Sequence, residues 1–279
     1  MTIFFGDNQF LGVNHSGGRS NEYFAAYADK NKVLRTLNDA LDSGISDFSF
    51  TVSDRTVGAY LEFIKTNPEV NLHPCFPYAQ FVNNKLTQKG TLGYSLELAK
   101  KAGFLSILKS LNHYFLFKES TELMKVITTV FTSEIPSKNL KSLSLLNVFV
   151  DLLIGAGRWD ILIGFIQACR ELEVEANFYT MNPTRLMETL WANGRNADVR
   201  ITFNFNQKGF RMNPNQDIVM ETCKRFEGHK ITAMSLFSGG DNQAFKFVEN
   251  KSYIESVLFG SSSKSRIINN VNKFRALGF

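Results

Sequence analysis

Near the end of the chain, "GSSSKSR" at 260–266 has the makings of an anion seat. Free N–H groups at a helix start, serine hydroxyls and the cations of Lys264 and Arg266 can together hold a phosphate. Gly260, Ser261, Ser262, Ser263, Lys264, Arg266 and Asn270 form this expected phosphate- or cofactor-binding set, with Ser235 and Ser238 upstream. A turn that merely caps the last helix is the plainer reading of the same serines.

Other residues could move protons. In "TVSDRT" (51–56), Asp54 and Arg55 stand just past an apolar run, where a carboxylate can transfer a proton beside an anion clamp. A helix-start aspartate with a surface arginine is the alternative. Lys208, in "FNFNQKGFRMNP" (203–214), can form an imine with a carbonyl if its proton is lost, and Arg211 nearby would favour that loss. It can also be a simple contact to phosphate or carboxylate. His15 is one of four histidines and a candidate acid, base or ligand. Asp7, Asn14, Tyr78, Asn182, Asn206 and Arg211 make up the expected substrate-binding set. Cys75 reads as a packed small residue. No spacing demands a metal, and there is neither CxxC nor HExxH.

These groups need a scaffold that gathers them. The 279 residues are 44% hydrophobic and 20% charged, an ordinary globular balance. Short β-branched or aromatic runs alternate with helical periodicity. Eight strands are expected, at 3–13, 47–52, 70–76, 146–154, 175–181, 199–205, 231–237 and 254–260. Helices at 32–44 and 182–194 each end in glycine, as helix C-termini favour. Eight strands each followed by a helix imply one α/β domain over 1–279, an eight-stranded parallel TIM barrel. Its functional groups belong at the carboxyl ends of the strands. Residues 85–144 hold more helix than one repeat requires. They are read as an insertion after the third strand, either an extra layer near the mouth or a homodimer contact through 103–135.

The formal charge of +5, without a basic block, points to a small anionic metabolite and away from nucleic acid. No apolar run approaches a membrane span, and the first residues lack signal-peptide character. Three widely spaced cysteines fit reduced thiols, so a cytoplasmic location is expected.

The second half of the chain resembles the aldo-keto reductases. "FVDLLIG" (149–155) looks like that family's fourth strand, and "NFYTMNPTRLMETL" (177–190) like its fifth strand and following helix. "ITAMSLFSGG" (231–240) is similar to the seventh strand, and "VLFGSSSKSRIINNVNKF" (257–274) to the eighth strand and the helix that grips the cofactor's nucleotide phosphate. "LNDALDSGISDF" (37–48) looks like the first helix and second strand. The resemblance implies a nucleotide seat but not the catalytic set. That family uses aspartate and tyrosine after the second strand, lysine after the third and histidine after the fourth. Here the aspartate position holds Ser49, Asp54 falls near the tyrosine position, and no lysine or histidine matches. At the nicotinamide end, Tyr179, Thr180 and Met234 replace the usual groups. The expectation is an enzyme acting on a phosphorylated or nucleotide-linked small molecule by proton transfer or bond cleavage, of isomerase, lyase or aldolase type. The alternatives are an NAD(P)-dependent oxidoreductase with an atypical acid, or a non-catalytic binding barrel. The cofactor stays open between NADP and none.

Overall fold

The structure, a computed structural model, describes residues 1–13, 20–117, 119–195, 199–226, 228–238 and 243–279. The chain begins with β1 (Thr2–Phe5), α1 (Ser20–Ala26), α2 (Lys30–Asp42), β2 (Asp47–Thr51), α3 (Val57–Thr66) and β3 (Asn71–Phe76). Three consecutive helices follow: α4 (Ala79–Ala102), α5 (Phe104–Phe117) and α6 (Thr121–Thr132). Repeats resume with β4 (Ser142–Leu145), α7 (Asn147–Gly155), α8 (Trp159–Glu171), β5 (Glu175–Thr180) and α9 (Pro183–Ala192). The chain finishes with β6 (Val199–Asn204), α10 (Gln216–Arg225), β7 (Lys230–Met234), α11 (Ala244–Val248), β8 (Ile254–Phe259) and α12 (Lys264–Ala276). All eight strands are parallel, and β8 pairs with β1 to close the barrel.

Why these segments become strands is visible in their alternation. In "DFSFT", "SLSL" and "EANFYT" the apolar residues point outward under the helices, so Phe48, Phe50, Leu143, Leu145 and Phe178 are buried between strand and helix. The small or polar residues between them point into the barrel. Barrel interiors are ordinarily filled by branched aliphatic side chains. This one is lined largely by polar groups that satisfy one another, with Phe4 and Leu258 among them. Ser49 Oγ lies 2.8 Å from the Tyr179 hydroxyl. Asn177 donates to Ser144 Oγ at 3.1 Å and accepts from Thr202 Oγ1 at 3.0 Å. Ser49, His73, Asn177, Tyr179, Arg200 and Thr202 line a small cavity with room for about one water.

The floor of the barrel carries charge. His73 stands between Asp47, 3.0 Å from Nε2, and Ser142, 2.7 Å from Nδ1. Arg200 is 8% exposed and donates to Glu175, Glu255, Thr232 and Ser256. Burial opposes the ionisation of Glu175. Its contacts with Arg200 and then Lys230 outweigh that and hold the carboxyl below its ordinary range.

Two expectations are corrected here. The fourth strand is Ser142–Leu145, and "NVFVDLLIG" is the helix α7. Val150, Leu153 and Ile154 are buried at helical spacing, while Val148 and Leu152 face solvent. A nine-residue apolar run does not distinguish a strand from a buried helix by periodicity alone. The first strand also ends at Phe5, and residues 6–13 form turns. The insertion does follow β3. Its helix α4 breaks at Gly90, whose φ of 66° lies outside helical range. Helix α6 packs between α5 and α8. A Cβ at Gly164 of α8 would come within 2.7 Å of Ser120, so glycine sets how closely α6 and α8 approach.

Candidate functional site

The carboxyl ends of β1, β2, β3 and β5 bring together the most unusual group in the molecule. Asp7 follows Gly6 directly above β1 and is 5% exposed. Its carboxylate accepts from the Thr51 backbone N–H at 2.7 Å and lies 3.4 Å from Thr51 Oγ1. It thereby continues the β1–β2 ladder past the last strand residue. No cation among the described residues pairs with it. Burial therefore dominates and pushes its pKa from 3.8 up to about 7, against the opposing Thr51 bonds. A carboxyl that titrates near neutrality can both take and give a proton.

Around it stand neutral groups that feel its charge. Burial pushes the Tyr179 hydroxyl well above its ordinary range, and Cys75 and Asp7 add to the effect. The Cys75 thiol is pushed up to about 12, chiefly by burial, so it stays protonated and is no thiolate nucleophile. Tyr78 is half-buried, with its pKa raised by burial and then by Asp7, and its hydroxyl donates to Gln80 at 2.7 Å. One proton-exchanging carboxyl beside neutral hydroxyls is an arrangement for deprotonating a carbon acid or protonating an oxygen.

The residues expected to do chemistry are placed differently. Asp54 does not point over the barrel axis. Its side chain is 71% exposed and pairs with Lys85 of α4 at 2.8 Å. Arg55 turns back on the chain: its Nη1 donates to the Phe10 and Phe24 carbonyls and its guanidinium lies 3.7 Å from the Phe24 ring. Lys208 and Arg211 are exposed in the loop after β6, with Arg211 against the Phe210 ring. Asn206 is buried and closes that loop by accepting from the Phe210 N–H and donating to the Phe210 carbonyl. Asn182 caps α9. His15 and Asn14 lie outside the described residues.

Next to the Asp7 loop, on the neighbouring strand β8, the serine turn is largely occupied with itself. Ser263 Oγ accepts from the Arg266 N–H and so caps α12, and Ser261 Oγ accepts from the Ser263 N–H. Ser262 contacts the Tyr27 hydroxyl. Lys264 is held by Asp39 of α2 at 2.9 Å. Gly260 is required here: a Cβ would collide with the Gln9 amide and lie 3.0 Å from the Gly6 carbonyl. Ser235 adopts a positive φ of 57° after β7. Ser238 is buried, and its hydroxyl has no partner among the described residues. Asn270 is half-buried on α12.

One functional-looking group had no sequence signal. Asp151 of α7 accepts from Thr180 Oγ1 at 2.5 Å and from the Met181 N–H at 2.9 Å, and burial raises its pKa. It braces the end of β5 just beyond Tyr179. Among the described residues no group of three or more His, Cys, Asp or Glu is placed to hold a metal, and no helix is long and apolar enough to cross a membrane.

Solved structures share the barrel. A crystal structure of a protein from Pseudomonas aeruginosa, described as "the putative aldo-keto reductase", superposes with a TM-score of 0.59 at 9% identity. The match covers 99% of this chain and 90% of that one. The fold is aldo-keto reductase-like. A second structure from the same organism, with the same description, gives a TM-score of 0.57 at 10% identity over the same shares. No family model and no curated protein sequence matches the chain. Within this aldo-keto reductase-like barrel, β2 runs out through Thr51, Val52, Ser53 and Asp54, β3 through Pro77 and Tyr78, and β4 through Leu146 and Asn147. The tyrosine, lysine and histidine that the family resemblance calls for at these three exits are absent.

Proposed function

We propose that the chain is a barrel enzyme that moves a proton at the carboxyl-terminal mouth, with Asp7 as the group that carries it. The supporting observation is the buried carboxylate above β1, without a cation among the described residues and titrating near pH 7. A buried carboxylate without a cation costs stability, and groups so perturbed gather at functional sites. Tyr179 supplies a neutral hydroxyl for an oxygen that gains charge as a neighbouring carbon loses its proton, once Ser49 takes the donor role in their shared bond; the Tyr78 proton is already given to Gln80. The reaction class is isomerase- or lyase-type chemistry on a small, anionic, carbonyl-bearing metabolite. Carbon–hydrogen cleavage next to a carbonyl needs one base and one oxyanion donor, roles this reading gives to Asp7 and Tyr179.

The likeness of fold favours a second reading, NAD(P)H-dependent carbonyl reduction, with Asp7 or Tyr179 as the acid in place of the missing tyrosine. The two readings part on cofactor. A thermal-shift screen against NADPH, NADH, sugar phosphates and nucleotide sugars should show a phosphorylated metabolite raising the melting temperature while both dinucleotides leave it unchanged. Incubation of that metabolite in deuterated water should then introduce deuterium beside its carbonyl. Stabilisation by NADPH, with its oxidation by an aldehyde panel at about 1 per second or faster, would establish the reductase reading instead.

The serine turn enters this proposal only through its backbone and Arg266. Lys264→Ala, which removes a cation already engaged by Asp39, is expected to leave the affinity for any phosphorylated hit within about twofold by titration calorimetry. A tenfold loss, about 1.4 kcal/mol, would bring Lys264 back into the anion seat.

A further inference from the structure

The insertion carries a surface unlike the rest of the molecule. Phe104, Leu108, Leu111 and Phe115 of α5 are all exposed and are spaced by four, three and four residues. That is the spacing of a seam that a facing helix can fill. Leu105 and Leu116 flank it, and the six side chains range from 37% to 79% exposed. Together they present roughly 650 Å² of apolar side chain, above the few hundred Å² that a monomer's largest patch usually shows.

What covers this stripe is limited by the charges around it. A lipid surface would be drawn by free cations beside the apolar face. Helices α4 and α5 hold five lysines, and three of them are held within the chain: Lys85 by Asp54, Lys89 by Glu97 and Lys101 by Glu134. Helix α5 has no acidic residue, so an identical stripe meets no acidic repulsion from it. The opposite face of α5 is already used, because α5 packs on α6 and α6 on α8. Two copies of the stripe placed face to face would remove about 1,300 Å² from water, within the range of a stable protein interface.

We propose that the outer face of α5 is the interface of a homodimer, in which a second copy lays the same stripe across a two-fold axis. It narrows the contact to α5, since α6 lies behind it. The dimer sits on the insertion and is independent of the chemistry assigned to Asp7.

Sedimentation velocity of the full chain tests this. At about 100 µM the wild-type protein should sediment as a dimer, as an interface of this size is expected to support. Leu105→Lys with Leu116→Lys changes only the two most exposed side chains of the stripe, and circular dichroism and the melting curve check that the variant folds. That variant should be monomeric, its dissociation constant raised at least about 100-fold. A monomeric wild type, or a dimer that survives both lysines, would overturn the proposal. Co-sedimentation of a monomeric wild type with vesicles of anionic phospholipid, lost in the variant, would assign the face to a membrane surface and overturn it equally.

Discussion

Asp7→Asn should make the protein more stable above neutral pH while abolishing most of its turnover. In the folded state burial raises the Asp7 pKa from 3.8 to about 7. A carboxyl whose folded pKa is raised contributes fully to stability only below its unfolded value. That contribution is lost as pH rises through the folded pKa. The window is therefore about pH 4 to 7, and the ionised form at pH 8 costs the fold at most about 4 kcal/mol. Asparagine keeps an oxygen to accept from the Thr51 N–H and carries no charge to bury. The difference in unfolding free energy between variant and wild type, from urea titrations, should be small at pH 4 and rise to its full value by pH 8. Turnover of the metabolite found by thermal shift should fall roughly 100- to 10,000-fold, with KM nearly unchanged, because the proton carrier is gone. A variant that melts below wild type at pH 8, with no pH dependence in the difference, would make Asp7 an ordinary ladder-extending residue. A more stable variant with unchanged turnover would leave the burial account intact and remove Asp7 from the chemistry.

The sequence carried the barrel more clearly than it carried this site. Strand periodicity located seven of the eight strands, because "DFSFT" or "VRITFN" alternates in a way no helix does. The fourth failed because "SLSL" is four residues long, with serines where a strand signal wants β-branched side chains. The polar barrel interior was not legible in the same way. Both faces of a barrel strand are ordinarily apolar, so the alternation alone did not say that Ser49, His73, Asn177, Arg200 and Thr202 face inward. Asp7 and Asp54 both follow strands, and nothing local separates them. Only the fold shows that Asp7 replaces a strand acceptor for Thr51 while Asp54 turns to Lys85 on the inserted helix. Arg55 illustrates the same limit: its partners, the carbonyls of Phe10 and Phe24, lie 45 and 31 residues away in sequence.

Arg200 should prove the most costly side chain to remove from the barrel floor. Its guanidinium satisfies Glu175 and Glu255, and also Thr232 Oγ1 at 3.1 Å and Ser256 Oγ at 2.9 Å. Arg200→Ala leaves four polar groups short of a donor, and one of them is a largely buried carboxylate. Breaking one side of a buried pair costs about 3–5 kcal/mol, and the contact of Glu175 with Lys230 places this case near 3. The pH dependence identifies the cause. In the wild type the Glu175 pKa is lowered, so its contribution is present above the unfolded value and is lost as pH falls through the folded one. Without Arg200, burial acts against Lys230 alone, and protonation at low pH should relieve the unpaired charge. The deficit measured by thermal melts should therefore be largest near pH 8 and shrink near pH 4. Glu175→Gln combined with Arg200→Met removes both charges and should recover much of the loss, since an ion pair replaced by groups of similar volume is often nearly neutral in stability. A deficit that is the same at pH 4 and pH 8, and persists in the double variant, would mean that Arg200 acts through its packing against Phe4 and its hydroxyl partners, with its charge playing no part.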